Sequence, residues 1–363
     1  MSKDVLRAFS LAKLRVIRYN LRGNKGGEGN PMRFATIGSN FIVENFLAGA
    51  RLHREFVLEA VYSRSPEKVR RLCGAWGAKR AYTSLEALAA DPDIDAVYIA
   101  SPNVCHAAQA IQMMRAGKHV LCEKPMALCS EELTRMYTAA DENGVVLLEA
   151  MRSAHSPATA AVRQALGGLG TLRHADLSYC QYSSRYPRWQ QGVVLNAFDP
   201  SMGGGALMDI GVYCVHMMVM LFGPPRAIEA KGAFLPGSID AVGSVHAQYG
   251  GFTVDLRYSK LYDSHQLCEV AGEEGALAFG PVGAPRMVRL LPRGGRPREL
   301  GLEILPQDMY YEVRDFIALA RGALGGALYR RWSCQAMQVL DAVRAQVKID
   351  FCGHMPGEGW SLL

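Results

Sequence analysis

The stretch Arg33-Phe34-Ala35-Thr36-Ile37-Gly38-Ser39-Asn40-Phe41-Ile42-Val43 passes from an apolar run, through a glycine and two small polar residues, into a second apolar run. Arg33 to Ile37 reads as a strand, Gly38-Ser39-Asn40 as a turn, and a helix starts near Phe41. Gly38 fills the tight-turn position of a degenerate dinucleotide fingerprint. Asn40, which tolerates a left-handed conformation, stands where the second glycine would be. A phosphate would then rest on the amides that open the helix. By itself this turn is a weak signal. Its weight comes from standing after the first strand of a longer series.

That series runs onward without a break in rhythm. Val57 to Tyr62 is a second strand, and Ser65-Pro66-Glu67-Lys68 gives an N-cap, a proline at the first helical position and a helix onset. Asp95 to Ala100 is a buried strand ended by Ser101-Pro102-Asn103. A helix through Met114, a turn at Gly117, the strand carrying Cys122-Glu123-Lys124-Pro125 and a helix from Ser130 follow, and Val145 to Ala150 closes the set. Strands alternating with helices imply an α/β fold with a parallel, doubly wound sheet that binds ligands at the carboxyl ends of its strands. Lys124 stands at such an end.

After about residue 151 the rhythm changes. Leu172 to Tyr182, Val245 to Tyr249, Phe252 to Tyr258 and Gln266 to Val270 read as strands joined by tight turns. Phe252, Val254, Leu256 and Tyr258 alternate with polar residues, so this sheet buries one face and wets the other. Met309–Arg321 and Ser333–Val347 read as closing helices. The expected division is a basic leader over 1–31, a nucleotide-binding domain over 32–150 and a mainly antiparallel α+β domain over 151–363.

Composition bounds the function. With 363 residues, 49% hydrophobic and 20% charged, the chain has material for two cores. No apolar run reaches the roughly 18–20 residues of a membrane span. The nine cysteines are scattered without CxxC spacing, which fits reduced thiols in the cytoplasm and no structural metal. The formal charge of +6 is concentrated in residues 1–31, where seven Lys/Arg face Asp4 and Glu28. The remainder is close to neutral, so no nucleic-acid footprint is expected. The leader ends in Gly-Asn-Lys-Gly-Gly-Glu-Gly-Asn-Pro and reads as flexible, either a dispensable or misassigned start or a targeting or docking arm.

Three constellations carry chemistry. A lysine at position 124, beside Glu123 and near a cofactor, can be lowered toward neutrality by desolvation and can then exchange a proton with a substrate hydroxyl. A charged strand-to-helix turn is the bland alternative. The second strand ends Tyr62-Ser63-Arg64-Ser65 with no acid at its tip. An acid there would grip the ribose 2′-hydroxyl of NAD, whereas Ser63 and Arg64 suit a 2′-phosphate, which favours NADP(H) over NAD(H). The third is Gly203-Gly204-Gly205-Ala206-Leu207-Met208-Asp209-Ile210-Gly211-Val212-Tyr213, where glycines permit a close approach before a helix. Asp209 and Tyr213 lie at i and i+4 on one face and can bind a polyol or orient the lysine. His216 shares that face but reads as a core histidine, and Met217, Met218 and Met220 as packing. Tyr179 to Arg188 is rich in aromatic and polar groups; it suits the rim of a sugar or diol pocket, a sheet cover or a subunit interface.

Together these residues resemble the Gfo/Idh/MocA oxidoreductase family, from about Met32 to the last helix. The segments that carry the resemblance are Ala35-Thr36-Ile37-Gly38, Tyr62-Ser63-Arg64, Tyr98 to Asn103 with His106, Gly117 to Pro125, and Gly203 to Gly211. The resemblance implies a Rossmann domain, NAD(P)-linked interconversion of a carbinol and a ketone, Lys124 as proton-transfer residue and Asp209 as its partner. Many members carry histidine four residues after that aspartate. Tyr213 looks more like the branch with glucose-fructose oxidoreductase and dimeric dihydrodiol dehydrogenase, and it weakens an inositol dehydrogenase assignment. Cys180-Gln181-Tyr182-Ser183-Ser184-Arg185 is similar to bacterial members of that branch. The implied cofactor contacts are Gly38, Ser39, Asn40, Phe41 and Ile42 in the first turn, Ser63 and Arg64 at the second. Ser101, Asn103 and His106 follow the third buried strand, and Glu123, Lys124 and Arg152 complete the set. Tyr182, Arg185, Asp209 and Tyr213 are the expected substrate contacts. An open-faced sheet would pair subunits into homodimers or higher homo-oligomers. The expected activity is NADP-dependent oxidoreduction of a sugar, sugar derivative or trans-dihydrodiol. A non-catalytic NADP sensor of the same fold is the rival, and it would not need both Lys124 and Asp209.

Overall fold

A computed structural model describes residues 30–351. All of the 1–31 leader except Asn30 and Pro31 lies outside the described residues. The first half alternates β1 (Met32–Ile37), α1 (Phe41–Ala50), β2 (Phe56–Tyr62), α2 (Pro66–Trp76), β3 (Arg80–Tyr82), α3 (Leu85–Ala90), β4 (Ala96–Ile99), α4 (Asn103–Arg115), β5 (His119–Glu123), α5 (Ser130–Glu142) and β6 (Leu147–Ala150). All six strands pair in parallel in the order β3-β2-β1-β4-β5-β6. Central strands buried on both faces must be apolar throughout, and every residue of β4 is buried. The order reverses between β1 and β4, and the crevice at that switch point is where such sheets take ligands. The expected doubly wound sheet is therefore present. The edge strand β3 was not foreseen, because three residues with an Arg80 salt-bridged to Asp91 at 2.6 Å show no apolar pattern.

The second half runs α6 (Arg152–His155), α7 (Pro157–Ala165), β7 (Leu172–Cys180), α8 (Tyr186–Gln190), α9 (Val212–Phe222), β8 (Ala227–Leu235), β9 (Ile239–Gln248), β10 (Thr253–Ser259), β11 (Cys268–Gly272), β12 (Gly275–Gly280), β13 (Met287–Pro292), β14 (Arg298–Glu299), α10 (Tyr310–Ala320) and α11 (Ala327–Val347). Strands β7 to β14 form one sheet in the order β14-β13-β12-β11-β7-β10-β9-β8. Every pair in it is antiparallel except β7 with β10. On β10, Val254, Leu256 and Tyr258 are buried while Arg257 is exposed, so the alternation holds as far as Tyr258 and breaks at Ser259, which is buried as the strand runs into the cleft. The outer face carries a polar cross-strand row in which His246 contacts Asp255 at 2.7 Å and His174 contacts Asp176 at 3.2 Å.

Within the second half the segment Pro200–Phe222 has the length and hydropathy of a membrane span, but 83% of its apolar 18-residue stretch is buried inside the fold. Its α9 portion is apolar nearly all round because it packs between the second sheet and α11. α11 begins at Ala327 rather than Ser333, since Leu328, Tyr329 and Trp332 already pack against the core. α10 crosses back to the first sheet, where Met309, Val313 and Phe316 join Phe34 and Phe46. A Cβ on Gly49 would lie 2.7 Å from Tyr310 N, so this glycine lets α1 and α10 touch. The return of α10 fixes the two halves around one cleft.

Candidate active site

The cleft encloses about 1250 Å³ between the carboxyl ends of β1, β2, β4 and β5 and the ends of β7 and β10. On the first-sheet side, Gly38 has φ +131°, and a Cβ there would stand 2.5 Å from Ala100 O. Only glycine lets the turn pass this close to the end of β4. Asn40 does not adopt the left-handed conformation expected of it. It is extended at φ −101°, caps α1 by accepting from Ile42 N at 3.2 Å, and donates to Ala100 O at 3.4 Å. An asparagine suits this position because its side chain satisfies an orphan amide of the helix. Ser39, Ile42 and the 60% exposed ring of Phe41 complete this wall.

At the tip of β2, Ser63 and Arg64 face the same cleft as Lys68, one turn into α2. Ser65 caps α2 by accepting from Lys68 N at 3.2 Å. No carboxylate stands at this tip, so the region is cationic and rich in hydroxyls. Beyond β4, Ser101 donates to Gln109 Oε1 at 2.6 Å and Asn103 donates to Gly203 O at 2.9 Å, which ties α4 to the triglycine loop. His106 borders the cleft, but its ring is fully buried, 2.9 Å from Pro125 O and 3.0 Å from Ser101 O. Burial lowers its pKa, so the ring stays neutral and donates to one carbonyl at a time. It braces the turns on either side of it while lining the cleft.

The floor is built from β5 and the segment before α9. Glu123 is buried, accepts from Tyr98 Oη at 2.6 Å, and is held above the usual carboxylate range by burial. Lys124, next in the chain, turns into the cleft with its side chain 13% exposed. Its Nζ donates to Asp209 O at 2.8 Å, lies 3.4 Å from Asp209 Oδ1, and sits 4.9 Å above the Tyr213 ring. Asp209 and Tyr213 therefore meet the lysine together, but not on one regular helix face. Leu207–Gly211 is a π-helical turn that passes into α9, and this wider turn brings both the carbonyl and the carboxylate of Asp209 to Lys124.

The electrostatics correct one expectation. Burial pulls the Lys124 pKa down, but Tyr213, Asp209 and Glu123 outweigh it and hold the ammonium above its ordinary value. Lys124 rests charged, not near neutrality. Burial would raise Asp209, yet the ammonium groups of Lys260 and Lys124 outweigh that and hold it below the usual range. Burial pushes Tyr213 up to about 12 and also raises Tyr179, whose ring centroid is 5.5 Å from that of Tyr213. Both are neutral phenols at neutral pH.

Two residues of this floor escaped the sequence reading. Tyr179 was noted only as a rim aromatic. Lys260 was not singled out, although it lies two residues past Tyr258 and so continues the inward alternation of Val254, Leu256 and Tyr258. A lysine on a buried parity is the signal that points to it. Around the mouth, Tyr182 is 42% exposed and packs edge-on to Tyr186, and the Arg185 guanidinium lies 5.9 Å from the Phe41 ring centroid, reaching across to the first-sheet wall. Arg152 lines the cleft from α6, 3.7 Å from Asp308. His216 is a core residue, 3.1 Å from Glu149 and almost fully buried. The glycines are approached by the protein itself: Gly203 by Leu128 and Asn103, Gly204 by the Asn196 and Asp199 backbone, and Gly205 by Asp240.

Residues 32–151 match the model of the Gfo/Idh/MocA oxidoreductase family described as an NAD-binding Rossmann fold, and residues 159–278 match the Gfo/Idh/MocA C-terminal domain. Scyllo-inositol 2-dehydrogenase (NADP(+)) of Bacillus subtilis is 42% identical over 290 residues, covering 80% of this chain and 88% of its own. Trans-1,2-dihydrobenzene-1,2-diol dehydrogenase of Mus musculus is 33% identical, covering 76% and 82%. Among solved structures, a 3-ketoreductase from Actinomadura kijaniata in complex with NADP superposes with a TM-score of 0.77 over 88% of this chain and 98% of its own, at 24% identity. That likeness extends the agreement in fold.

Proposed function

The chain belongs to the Gfo/Idh/MocA oxidoreductase family, and from that premise we propose that it interconverts a secondary alcohol or hemiacetal and a carbonyl with NADP(H). The substrate class is a sugar, a sugar derivative, a cyclic polyol or a trans-dihydrodiol. Cyclic polyols enter against the expectation drawn from Tyr213, because a relative 42% identical is named for scyllo-inositol. One position does not outweigh that likeness. The observation that carries the reading is Lys124 Nζ held between Asp209 and the Tyr213 ring where the two sheets meet.

The first-sheet wall fits a dinucleotide. Gly38 leaves a gap that no side chain can share with Ala100, the opening amides of α1 suit a phosphate, and Ser63, Arg64 and Lys68 suit a 2′-phosphate where an acid would repel it. When bound, NADP(H) supplies or accepts the hydride. The chain's own groups handle the proton. Lys124, charged at rest, donates to the oxygen of a carbonyl as it becomes an alkoxide; in the oxidation direction it must first release its proton to solvent, and the neutral amine then takes the hydroxyl proton. Tyr213 and Tyr179 offer neutral O–H groups to the same oxygen. Asp209 holds the ammonium in place, and Glu123, paired with Tyr98, fixes the backbone that presents it. Arg152 bounds the cofactor end, and Tyr182 and Arg185 bound the substrate end. Holding the reacting groups near contact distance is the main source of rate.

Residues 32–150 serve in this reading as the cofactor unit and 151–363 as the substrate unit. The outer face of the eight-stranded sheet pairs two copies, and the His174, Asp176, Asp255 and His246 row makes that pairing sensitive to salt. The eight unpaired thiols among the described residues support a reducing cytoplasm as the working compartment. The test is a fluorescence assay with NADP+ or NADPH against a panel of cyclitols, aldoses, ketosugars and dihydrodiols. Turnover on at least one is expected. Quenching of NADPH with no turnover across the panel would return the chain to the sensor reading.

A further inference from the structure

Lys260 is the least exposed cation facing the cleft. Its side chain is 2% exposed, against 13% for Lys124 and 26% for Arg152. Its Nζ donates to Asp209 Oδ2 at 2.7 Å and to Ala197 O at 2.8 Å, and lies 4.6 Å from the Phe198 ring centroid. Its backbone N–H donates to Ala241 O at 2.9 Å, and its carbonyl accepts from Ser183 N at 2.9 Å. A buried ammonium is costly unless a charge and further acceptors meet it, so its place here calls for a reason.

The reason lies in how Asp209 is shared. One carboxylate oxygen faces Lys260 and the other faces Lys124, the longer contact of the two. Two ammonium groups compete for one negative charge, and each repels the other's proton. The proton on Lys124 is then held less firmly than in a simple ion pair. We propose that Lys260 is a positioning residue that neutralises Asp209 from the side away from Lys124 and thereby keeps the Lys124 proton transferable. The inference rests on Lys124 being the proton-transfer group.

The other groups facing Lys124 stay in place when Lys260 is changed. They are Glu123 from β5, Tyr213 from α9, Tyr179 from β7, Arg152 from α6 and His106 from α4. None of these takes the place of Lys260 at Asp209 Oδ2, which it meets at 2.7 Å; Arg185 acts on Asp209 from the mouth of the cleft and Asp240 faces Lys260 from β9, and both are unchanged in the variants. A staple for the loop at Ala197 is the competing role. It would affect stability without touching the proton affinity of Lys124.

The experiment reads Lys124 directly in the full-length protein without cofactor. A small acylating reagent reacts with the neutral amine alone, so its rate at a fixed pH near 9 measures the neutral fraction, followed at Lys124 by peptide mass spectrometry. Lys260→Gln keeps hydrogen-bonding groups but removes the charge. It is expected to slow acylation of Lys124 about tenfold, the effect of roughly one unit of pKa from a neighbouring charge. Lys260→Arg keeps the charge and is expected to react within about twofold of wild type. An unchanged or faster rate in a folded Lys260→Gln protein overturns the proposal, and so does a tenfold loss in Lys260→Arg. Should Lys260→Gln fail to fold, the Lys260→Arg rate decides. The labelling readout is independent of turnover, so a Lys124→Ala enzyme that still turns over would sink the proton-transfer reading separately.

Discussion

Gly205→Ala is the substitution whose effect the structure sizes most closely. Gly205 has φ +119°, and a Cβ there would overlap the Asp240 Oδ1 atom. Asp240 is 2% exposed, and its other oxygen accepts from Leu207 N at 2.6 Å, capping the π-helical turn that carries Asp209. Asp209 N in turn donates to Gly205 O at 3.2 Å. Alanine at this φ costs about 1–2 kcal/mol of backbone strain. Displacing a buried charge-assisted hydrogen bond costs roughly another 1.5–3 kcal/mol. The expected loss is about 2.5–5 kcal/mol of unfolding free energy, measured by chemical denaturation. Gly237→Ala supplies the control, since Gly237 has φ +85° with open space around it, and only the backbone part should appear, about 1 kcal/mol. Turnover should fall in Gly205→Ala more than stability at assay temperature explains, because the turn that holds Asp209 loses its cap. Equal stability in the two alanine variants would refute the view that Asp240 and Gly205 jointly seat the turn that carries Asp209.

Burial pushes the Asp240 pKa up to about 6, above its ordinary 3.8. The folded state thus binds this proton more tightly than the unfolded chain, and stability should be full below about pH 4 and fall by about 3 kcal/mol as pH rises to about 6. Asp240→Asn removes that slope, and parallel denaturation curves for the two proteins from pH 4 to 7 would contradict the assignment. Arg64→Gln should weaken NADPH binding about 10- to 100-fold, the worth of one charge-assisted hydrogen bond, while NADH stays within about threefold. Equal losses for both nucleotides in a fluorescence titration would place the 2′-phosphate elsewhere. Reduction of a carbonyl substrate should hold its rate through neutral pH and decline only on the alkaline side, because Lys124 keeps its proton above the ordinary lysine range; a decline centred near pH 7 in a pH–rate profile would show that desolvation governs after all.

How far the chain disclosed this architecture follows from where each element lies. Strands buried on both faces read as plain apolar runs, and β4 with its four buried residues left no ambiguity. The placement of Lys124 at a carboxyl edge followed from counting such strands. Edge strands gave no such trace: β8 is mostly exposed, β3 is three residues long, and β14 has two charged residues. Asn40 shows a second kind of gap. Its identity marked the turn, but an asparagine serves equally as an N-cap or in a left-handed bend, and only the packing of Gly38 against Ala100 selects between them. The pairing of Asp209 with Lys260 spans 51 residues and joins the π-helical turn before α9 to the end of β10, so no local pattern announces it. The Lys124 proton affinity was misjudged for the same reason. Desolvation is visible in an apolar run, whereas the balancing charge arrives from a distant turn.

The central claim is that Lys124 moves the substrate proton within an NADP-dependent cleft, and Lys124→Ala tests it most directly. Steady-state turnover should be measured on whichever substrate the wild type accepts, alongside NADPH affinity by fluorescence titration. The expected result is a loss of at least about 10²- to 10⁴-fold in kcat with NADPH affinity kept within a few-fold. Near-normal turnover in the alanine variant, with cofactor bound as in wild type, would contradict the account.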